Sequence, residues 1–450
     1  MAKADTLVKN SLIITPRGSY PGHIYIKDGR VSAIAKEALG QVSRTIDAGG
    51  KPVVPGVVDE HVHMMDPGHT EREDFTTGTR AAARGGTTTV IEHHRTEPQV
   101  LSAGIVKEKG GYLGEKAVVD FGLLGGLTPG GAGELLGMWE AGALGFKGFL
   151  VELHGVLPLS QGDLLESFGE LARFGGIALL HCESDSLIKM GKANLKEKDY
   201  LMVSRWRSKE AELLAARDVI QVAELTRARA MLAHTSQPGI LREVAQARLR
   251  GAKVFSESCP QYFHLTTEDL ESKGPFCKFT PPPREPEIVE EMWECLRGGL
   301  VDTIGSDHCP YPRAEKEAGL KDIDEAPFGI PGVETALRLM LKGVAQGKLT
   351  LEKLVEVMCE APARHWGLYP RKGALEVGSD ADLVILDLER KERLSDGEVV
   401  SKCGWTPYDG WELKGAPVLT MVRGKVVMEE GEVVGEPGWG EWVKGPGCEG

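Results

Sequence analysis

Eight short apolar runs rich in β-formers alternate, between residues 53 and 304, with longer segments rich in Ala, Leu, Glu and Arg that suit helices. They are 53–58, 87–91, 117–124, 143–151, 177–180, 230–233, 252–255 and 301–304. A chain that returns to a strand eight times, each time with room for a helix, has few closed solutions. Eight such units over about 300 residues match an α/β fold, the (β/α)8 TIM-like barrel, whose active sites lie at the C-terminal ends of the strands. The residues able to do chemistry stand there. The first run leads into Asp59-Glu60-His61-Val62-His63, the fourth contains Lys147, the fifth is followed by His181, the sixth by His234, and the eighth leads to Asp307-His308. The barrel is expected over residues 53–369.

The two ends of the chain have another pattern. Thr6-Leu7-Val8, Leu12-Ile13-Ile14, His23-Ile24-Tyr25-Ile26 and Val31-Ser32-Ala33-Ile34 read as short antiparallel strands, with Lys27-Asp28-Gly29-Arg30 as a hairpin turn. Residues 370–450 resemble them, through the runs 382–387 and 418–422, the latter turning at Arg423-Gly424 into Lys425-Val426-Val427. Residues 1–52 and 370–450 are therefore expected to build one small β-sandwich domain together.

His61 and His63 are two apart, so on a strand both imidazoles project from one face and can reach one metal ion. Alone, such a pair is common. Joined by His181, His234 and Asp307 at other strand ends, it points to a metal site. Lys147 lies in the apolar stretch Gly145-Phe146-Lys147-Gly148-Phe149, where an ammonium is costly to bury. Reaction of its neutral amine with carbon dioxide would give an anionic carbamate able to bridge two cations. A lysine that snorkels to solvent or pairs with Glu152 fits the sequence as well.

Composition removes several other functions. The 53 Lys and Arg against 66 Asp and Glu leave a formal charge of -13, which repels a phosphate backbone and makes nucleic acid an unexpected partner. No apolar run approaches the roughly 20 residues that cross a bilayer, and the N-terminus has no secretory pattern, so the expectation is no membrane association and a cytoplasmic location. The eight cysteines include no CxxC pair, which suggests reduced thiols rather than a disulfide framework or thiolate zinc site. Ser258 and Ser306 lack a Ser-His-Asp context.

Pro55-Gly56-Val57-Val58-Asp59-Glu60-His61-Val62-His63, Asp66-Pro67-Gly68, and the segment 73–88 resemble the cyclic amidohydrolases. So do His181-Cys182-Glu183, His234-Thr235-Ser236, Glu257-Ser258-Cys259-Pro260, Pro281-Pro282-Pro283-Arg284, Gly305-Ser306-Asp307-His308 and Gly378-Ser379-Asp380-Ala381-Asp382, so the resemblance spans nearly the whole chain. It implies two divalent metal ions, usually zinc. His61, His63 and Asp307 would hold one and His181 and His234 the other, with Lys147 as N6-carboxylysine, made from carbon dioxide or bicarbonate, between them. It implies hydrolysis of a small cyclic amide or ureide, with Asp307 as the catalytic base and acid. It also implies a homo-oligomer, often a tetramer, for which residues 405–410 and the β-domain are candidate contacts. A non-catalytic scaffold related to dihydropyrimidinases is the contrasting reading, and the intact set of ligand positions speaks for the enzyme.

The subfamily signals conflict. Met65 stands where dihydroorotases have a carboxylate-binding arginine, although 326–335 resembles their loop after strand eight. Glu152 stands where hydantoinases and dihydropyrimidinases have an oxyanion-stabilising tyrosine, and it reads equally as a solvated loop residue. Allantoinases match the first segment best, through 66–71 and Val90-Ile91-Glu92, and an allantoinase-like activity is the leading expectation, with a hydantoinase or dihydropyrimidinase, which Asp307-His308-Cys309-Pro310 resembles, as the runner-up and a dihydroorotase-like activity as a further alternative. His93-His94 departs from that pattern too. Met65, Glu152, His93 and Arg284 are the candidate substrate contacts, with a hydrogen-bonded loop pair as the alternative for His93 and a loop salt bridge for Arg284.

Overall fold

The computed structural model describes residues 4–37, 42–153, 155–195 and 199–448. The chain begins with β1 (Thr6–Thr15), β2 (Gly18–Lys27), β3 (Arg30–Ala35), β4 (Arg44–Asp47) and β5 (Pro52–Pro55). It continues through β6 (Val57–Val62), β7 (Thr87–Glu92), β8 (Asp120–Gly126), β9 (Gly145–Phe149), β10 (Ile177–His181), β11 (Arg229–Leu232), β12 (Lys253–Ser258) and β13 (Thr303–Ile304). It ends with β14 (Leu383–Arg393), β15 (Glu412–Val422), β16 (Lys425–Glu429) and β17 (Glu432–Val433).

Strands from both ends form one nine-stranded sheet in the order β17-β16-β15-β14-β5-β1-β2-β3, with β4 beside β1. The halves join where β5 runs antiparallel to β14, Pro55 opposite Leu383 and Val53 opposite Ile385. Two hairpins turn in left-handed backbone, at Asp28-Gly29 (φ 50° and 75°) and Arg423-Gly424 (φ 45° and 76°), which matches the right-handed twist of their strands. The two turns touch: a Cβ on Gly29 would stand 3.1 Å from the Arg423 carbonyl, and one on Gly424 would stand 3.1 Å from Ile26. The sheet therefore curls on itself into a sandwich, enclosing Val8, Ile24, Val31, Leu383, Ile385 and Met421.

The first expected run, 53–58, divides between the two layers. Val53 and Val54 belong to β5 in the terminal sheet, and the chain enters the barrel as β6 beyond Gly56. A side chain at Gly56 would begin 2.0 Å from Thr88 Oγ1, so only glycine fits the crossing. Of residues 405–410, the first four are buried and Asp409 is exposed. Trp405 and Tyr408 are buried in the chain's own core, and the Trp405 indole donates to the Tyr311 carbonyl at 2.7 Å, so neither ring is free to contact another copy.

β6 to β13 form an eight-stranded sheet of parallel neighbours in sequence order. A parallel bridge between Val62 and His308, with the His63 N–H donating to the His308 carbonyl at 2.7 Å, joins the first strand to the chain beyond the last. Alternation along each strand separates two cores. On β10, Ile177 and Leu179 face the inner cluster, while Ala178 and Leu180 face the outer layer with helix residues such as Phe168 and Val219. His181, next in the inward series, arrives at the mouth of the barrel. At the other end, the Lys372 ammonium sits among buried Asp120, Asp380 and Asp382, 3.0 Å and 2.7 Å from the last two. This packs β8 of the barrel against residues leading into β14.

Candidate metal centre

Asp59 sets the position of the first strand's histidines. Its Oδ1 accepts the Ser306 N–H at 2.9 Å and the His61 N–H at 3.3 Å, tying β6 to the loop that carries Asp307. The His61 ring is turned by Glu257 of β12, whose Oε2 is 3.0 Å from Nδ1 and also accepts the His234 N–H at 3.0 Å. His61 Nε2 is then left facing Lys147 Nζ and Asp307 Oδ1, each at 3.3 Å, and His63 Nε2 lies 3.2 Å from the same carboxylate oxygen.

On the facing strands, His181 Nε2 contacts Glu183 Oε2 at 2.7 Å, and the same oxygen accepts from Thr280 Oγ1 at 2.7 Å and pairs with Arg207. Although burial opposes it, the Arg207 and His181 interactions hold the Glu183 carboxyl down at about 2, so it is ionised and the imidazole Nε2–H donates. That fixes His181 Nδ1 as a lone-pair donor, 3.0 Å from His234 Nε2.

Burial keeps these imidazoles neutral. It pushes His61 down to about 3 with help from Lys147, and lowers His63, His93, His181 and His234. Neutral imidazole is the ligand form. Lys147 is fully buried, with no ion-pairing carboxylate among the described residues, and burial lowers its pKa against the opposing pull of Glu257 and Asp307. Buried His63 Nδ1 and His234 Nδ1 also lack hydrogen-bond partners among the described residues. A neutral, oriented nitrogen set with a carboxylate and a desolvated amine is a donor set suited to divalent cations.

Three non-glycine residues around the pocket adopt left-handed backbone: Met65 at φ 57°, His234 at 39° and Asp307 at 48°. Left-handed backbone is uncommon for residues other than glycine and persists where the surrounding packing over-determines it. The pocket combines His61, His63, Lys147, His181, His234 and Asp307 with Arg95, Thr280, Phe149, Leu153, Cys309, Phe328 and Gly329. A larger groove of about 470 Å³ between barrel and terminal sheet is lined by opposed charges, among them Arg84 with Glu334 at 2.8 Å and Arg390 with Glu392 at 2.8 Å. It offers no comparable convergence of ligand atoms.

The six expected ligand positions thus meet at one mouth, but the expected substrate contacts do not. Glu152 is exposed and pairs with Lys189 at 3.5 Å. Arg284 is buried away from the pocket, bonded to Glu212 at 2.8 Å, Ser236 Oγ at 2.9 Å and the Arg207 carbonyl at 2.9 Å. Its role is to brace the loops, which replaces the expected anion contact. Met65 lies behind the lining with Cys309 and Tyr311. His93 stacks between His63, at 4.1 Å, and His94, at 4.4 Å, and its ligand atom falls within 4.8 Å of those of His61 and His63. It joins the histidine cluster, beneath the pocket surface. Sequence reasoning passed over Glu183 and Glu257, although both stood inside quoted motifs, and Arg95, which had no motif to mark it.

The sequence profile of the Amidohydrolase family matches residues 53–128 and 202–427. The L-hydantoinase of Paenarthrobacter aurescens is 41% identical over 448 residues, covering 98% of both chains. The allantoinase of Deinococcus radiodurans is 33% identical, covering 96% of this chain and 97% of that one. Among solved structures, an L-hydantoinase (dihydropyrimidinase) from Arthrobacter aurescens superposes with a TM-score of 0.96 at 41% identity, covering 98% of this chain and all of that one.

Proposed function

The chain belongs to the amidohydrolase family and is a cyclic amidohydrolase, and from that premise we propose that it opens a five-membered cyclic ureide of the hydantoin class. The observation that carries this is the convergence of His61, His63, Lys147, His181, His234 and Asp307 on one pocket. The choice of ring moves from allantoin to hydantoin because the relative named L-hydantoinase is 41% identical and the one named allantoinase 33%.

In this reading His61, His63 and Asp307 would hold one divalent ion and His181 and His234 a second, and Lys147, carboxylated by carbon dioxide with loss of one amine proton, would supply a shared anionic ligand. When bound, paired divalent ions, here zinc, acidify a water and polarise a carbonyl. The chain's own residues do the rest. Glu257 and Glu183 hold the imidazoles in orientation. Asp307 takes one proton from the attacking water and returns it to the ring nitrogen as the carbon–nitrogen bond breaks, and the new carboxylic acid loses the second proton to solvent, leaving a carboxylate and a free ureide. Phe149, Leu153 and Phe328 supply an apolar wall that keeps bulk water from the ring. No helix among the described residues is long and apolar enough to cross a membrane; cytoplasmic location and a homo-oligomer are part of the same proposal.

The test is ring opening by protein reconstituted with zinc and bicarbonate, on hydantoin, dihydrouracil, allantoin and dihydroorotate in parallel. Preferred opening of hydantoin is expected, with Lys147→Ala losing bound metal as well as turnover. A clear preference for allantoin or dihydroorotate, or a Lys147→Ala variant that keeps both ions and full activity, would overturn the reading.

A further inference from the structure

Several basic side chains around the loop after β7 have acidic partners. Arg72 pairs with Glu315 at 3.2 Å, Lys109 with Glu92 at 3.5 Å and Lys116 with Asp66 at 2.8 Å. Arg95, three residues beyond β7, has no ion-pairing carboxylate among the described residues, yet it lines the pocket with His63 and Asp307. Its backbone is anchored, because the Arg95 N–H donates to His93 Nδ1 at 3.0 Å, and its Nη2 rests 3.9 Å from the Met65 sulfur. The guanidinium is held at the pocket wall beside the Met65 sulfur and the Tyr311 hydroxyl, to which it hydrogen-bonds, with no carboxylate on its planar donor fork among the described residues. If Lys147 becomes a carbamate, Arg95 is the one permanent cation among the described lining residues. A half-buried guanidinium that lacks a carboxylate partner in a ligand pocket is matched best by a planar anion that accepts N–H bonds from its free edge.

Resting on the ring-opening activity proposed above, we infer that Arg95 is a specificity-determining residue and that the substrate ring carries a carboxylate substituent, received by the Arg95 guanidinium while the ring lies against Phe149 and Phe328. Arg95 sits on the side of Met65, Cys309 and Tyr311, so the substituent points that way and the scissile amide points to Asp307. The sequence gives no hint of this, because the cation comes from the loop after the second strand, 30 residues from the Met65 it touches.

The experiment compares two near-isosteric rings, hydantoin-5-acetate and hydantoin-5-acetamide, with unsubstituted hydantoin as the check on ring opening itself. Wild-type enzyme is expected to favour the acetate in kcat/KM by about 10- to 100-fold, the range of a charge-assisted contact. In Arg95→Gln that ratio falls to near one, and Arg95→Lys restores part of it, as a point charge without the fork. Calorimetric binding of hydantoin-5-acetate, weakened in Arg95→Gln, reads the same contact without turnover. A wild-type preference for the acetamide, or a ratio unchanged in Arg95→Gln, overturns the inference while leaving ring opening intact. Failure on all three rings overturns the ring assignment instead. If the variant does not fold, the wild-type ratio and its decline with added salt still decide the matter.

Discussion

Glu183 touches no substrate position, yet it is the most heavily committed carboxylate at the site, serving His181, Thr280 and Arg207 from one oxygen. Replacing it by glutamine keeps the shape but removes the charge that fixes the His181 tautomer. Glu183→Gln is expected to weaken retention of the second metal about 10- to 100-fold, measured by chelator competition on folded protein with unchanged far-UV dichroism. Legibility at this scale divides by chemistry. The gathering of His61, His63, His181, His234 and Asp307 in one pocket could be read from sequence because each stands at or just beyond a strand end. Glu152 and Arg284 could not be placed, because whether a loop residue faces a pocket depends on side-chain direction, and here their charges found Lys189 and Glu212 instead.

At the scale of elements, the rhythm of strands and helices was readable almost throughout, and the exception teaches most. Residues 53–58 form one unbroken apolar pattern because the end of β5 and the start of β6 are both buried, so polarity carries no mark of the crossing. Gly56 is the mark, and its reason lies in Thr88, a neighbour only in space. Gly56→Ala is expected to cost about 1–3 kcal/mol, read as a lowered urea midpoint, from the overpacking it forces on that threonine. Adding Thr88→Ala should recover part of the loss, since contacting sites couple. No loss in Gly56→Ala would show that the crossing tolerates a side chain, and equal losses in the single and double variants would show that the cost does not come from Thr88.

Across the whole molecule, the joint between barrel and terminal sheet turns on a single buried cation. Lys372 is fully buried with Asp120, Asp380 and Asp382 around it, and Arg423 shares Asp120 at 3.1 Å. The three acids lie close enough to resemble a metal site, but the ammonium occupies their centre. Lys372→Met leaves those acids without their central counter-charge, and a destabilisation of about 3–5 kcal/mol is expected in chemical denaturation. Substituting Asp120→Asn and Asp382→Asn together with it should return part of that. The joint was invisible in the sequence because Asp120 lies some 250 positions from Lys372 and its two neighbouring acids.

The meeting of β5 with β14 has a consequence for how the chain comes into being. Synthesis runs from the N-terminus, so β1 to β5 emerge first and wait through about three hundred residues of translation before β14 arrives to complete their sheet. During that interval one flank of β5 is an open template for pairing with any other nascent strand. The barrel cannot relieve the wait, because its own closure needs residue 308 at the ring's last seam. Folding of the catalytic body and sealing of its flanking sheet are thus both deferred to the final third of translation. A ribosome stalled short of that point would hold a chain that has every strand of its early half and no finished surface.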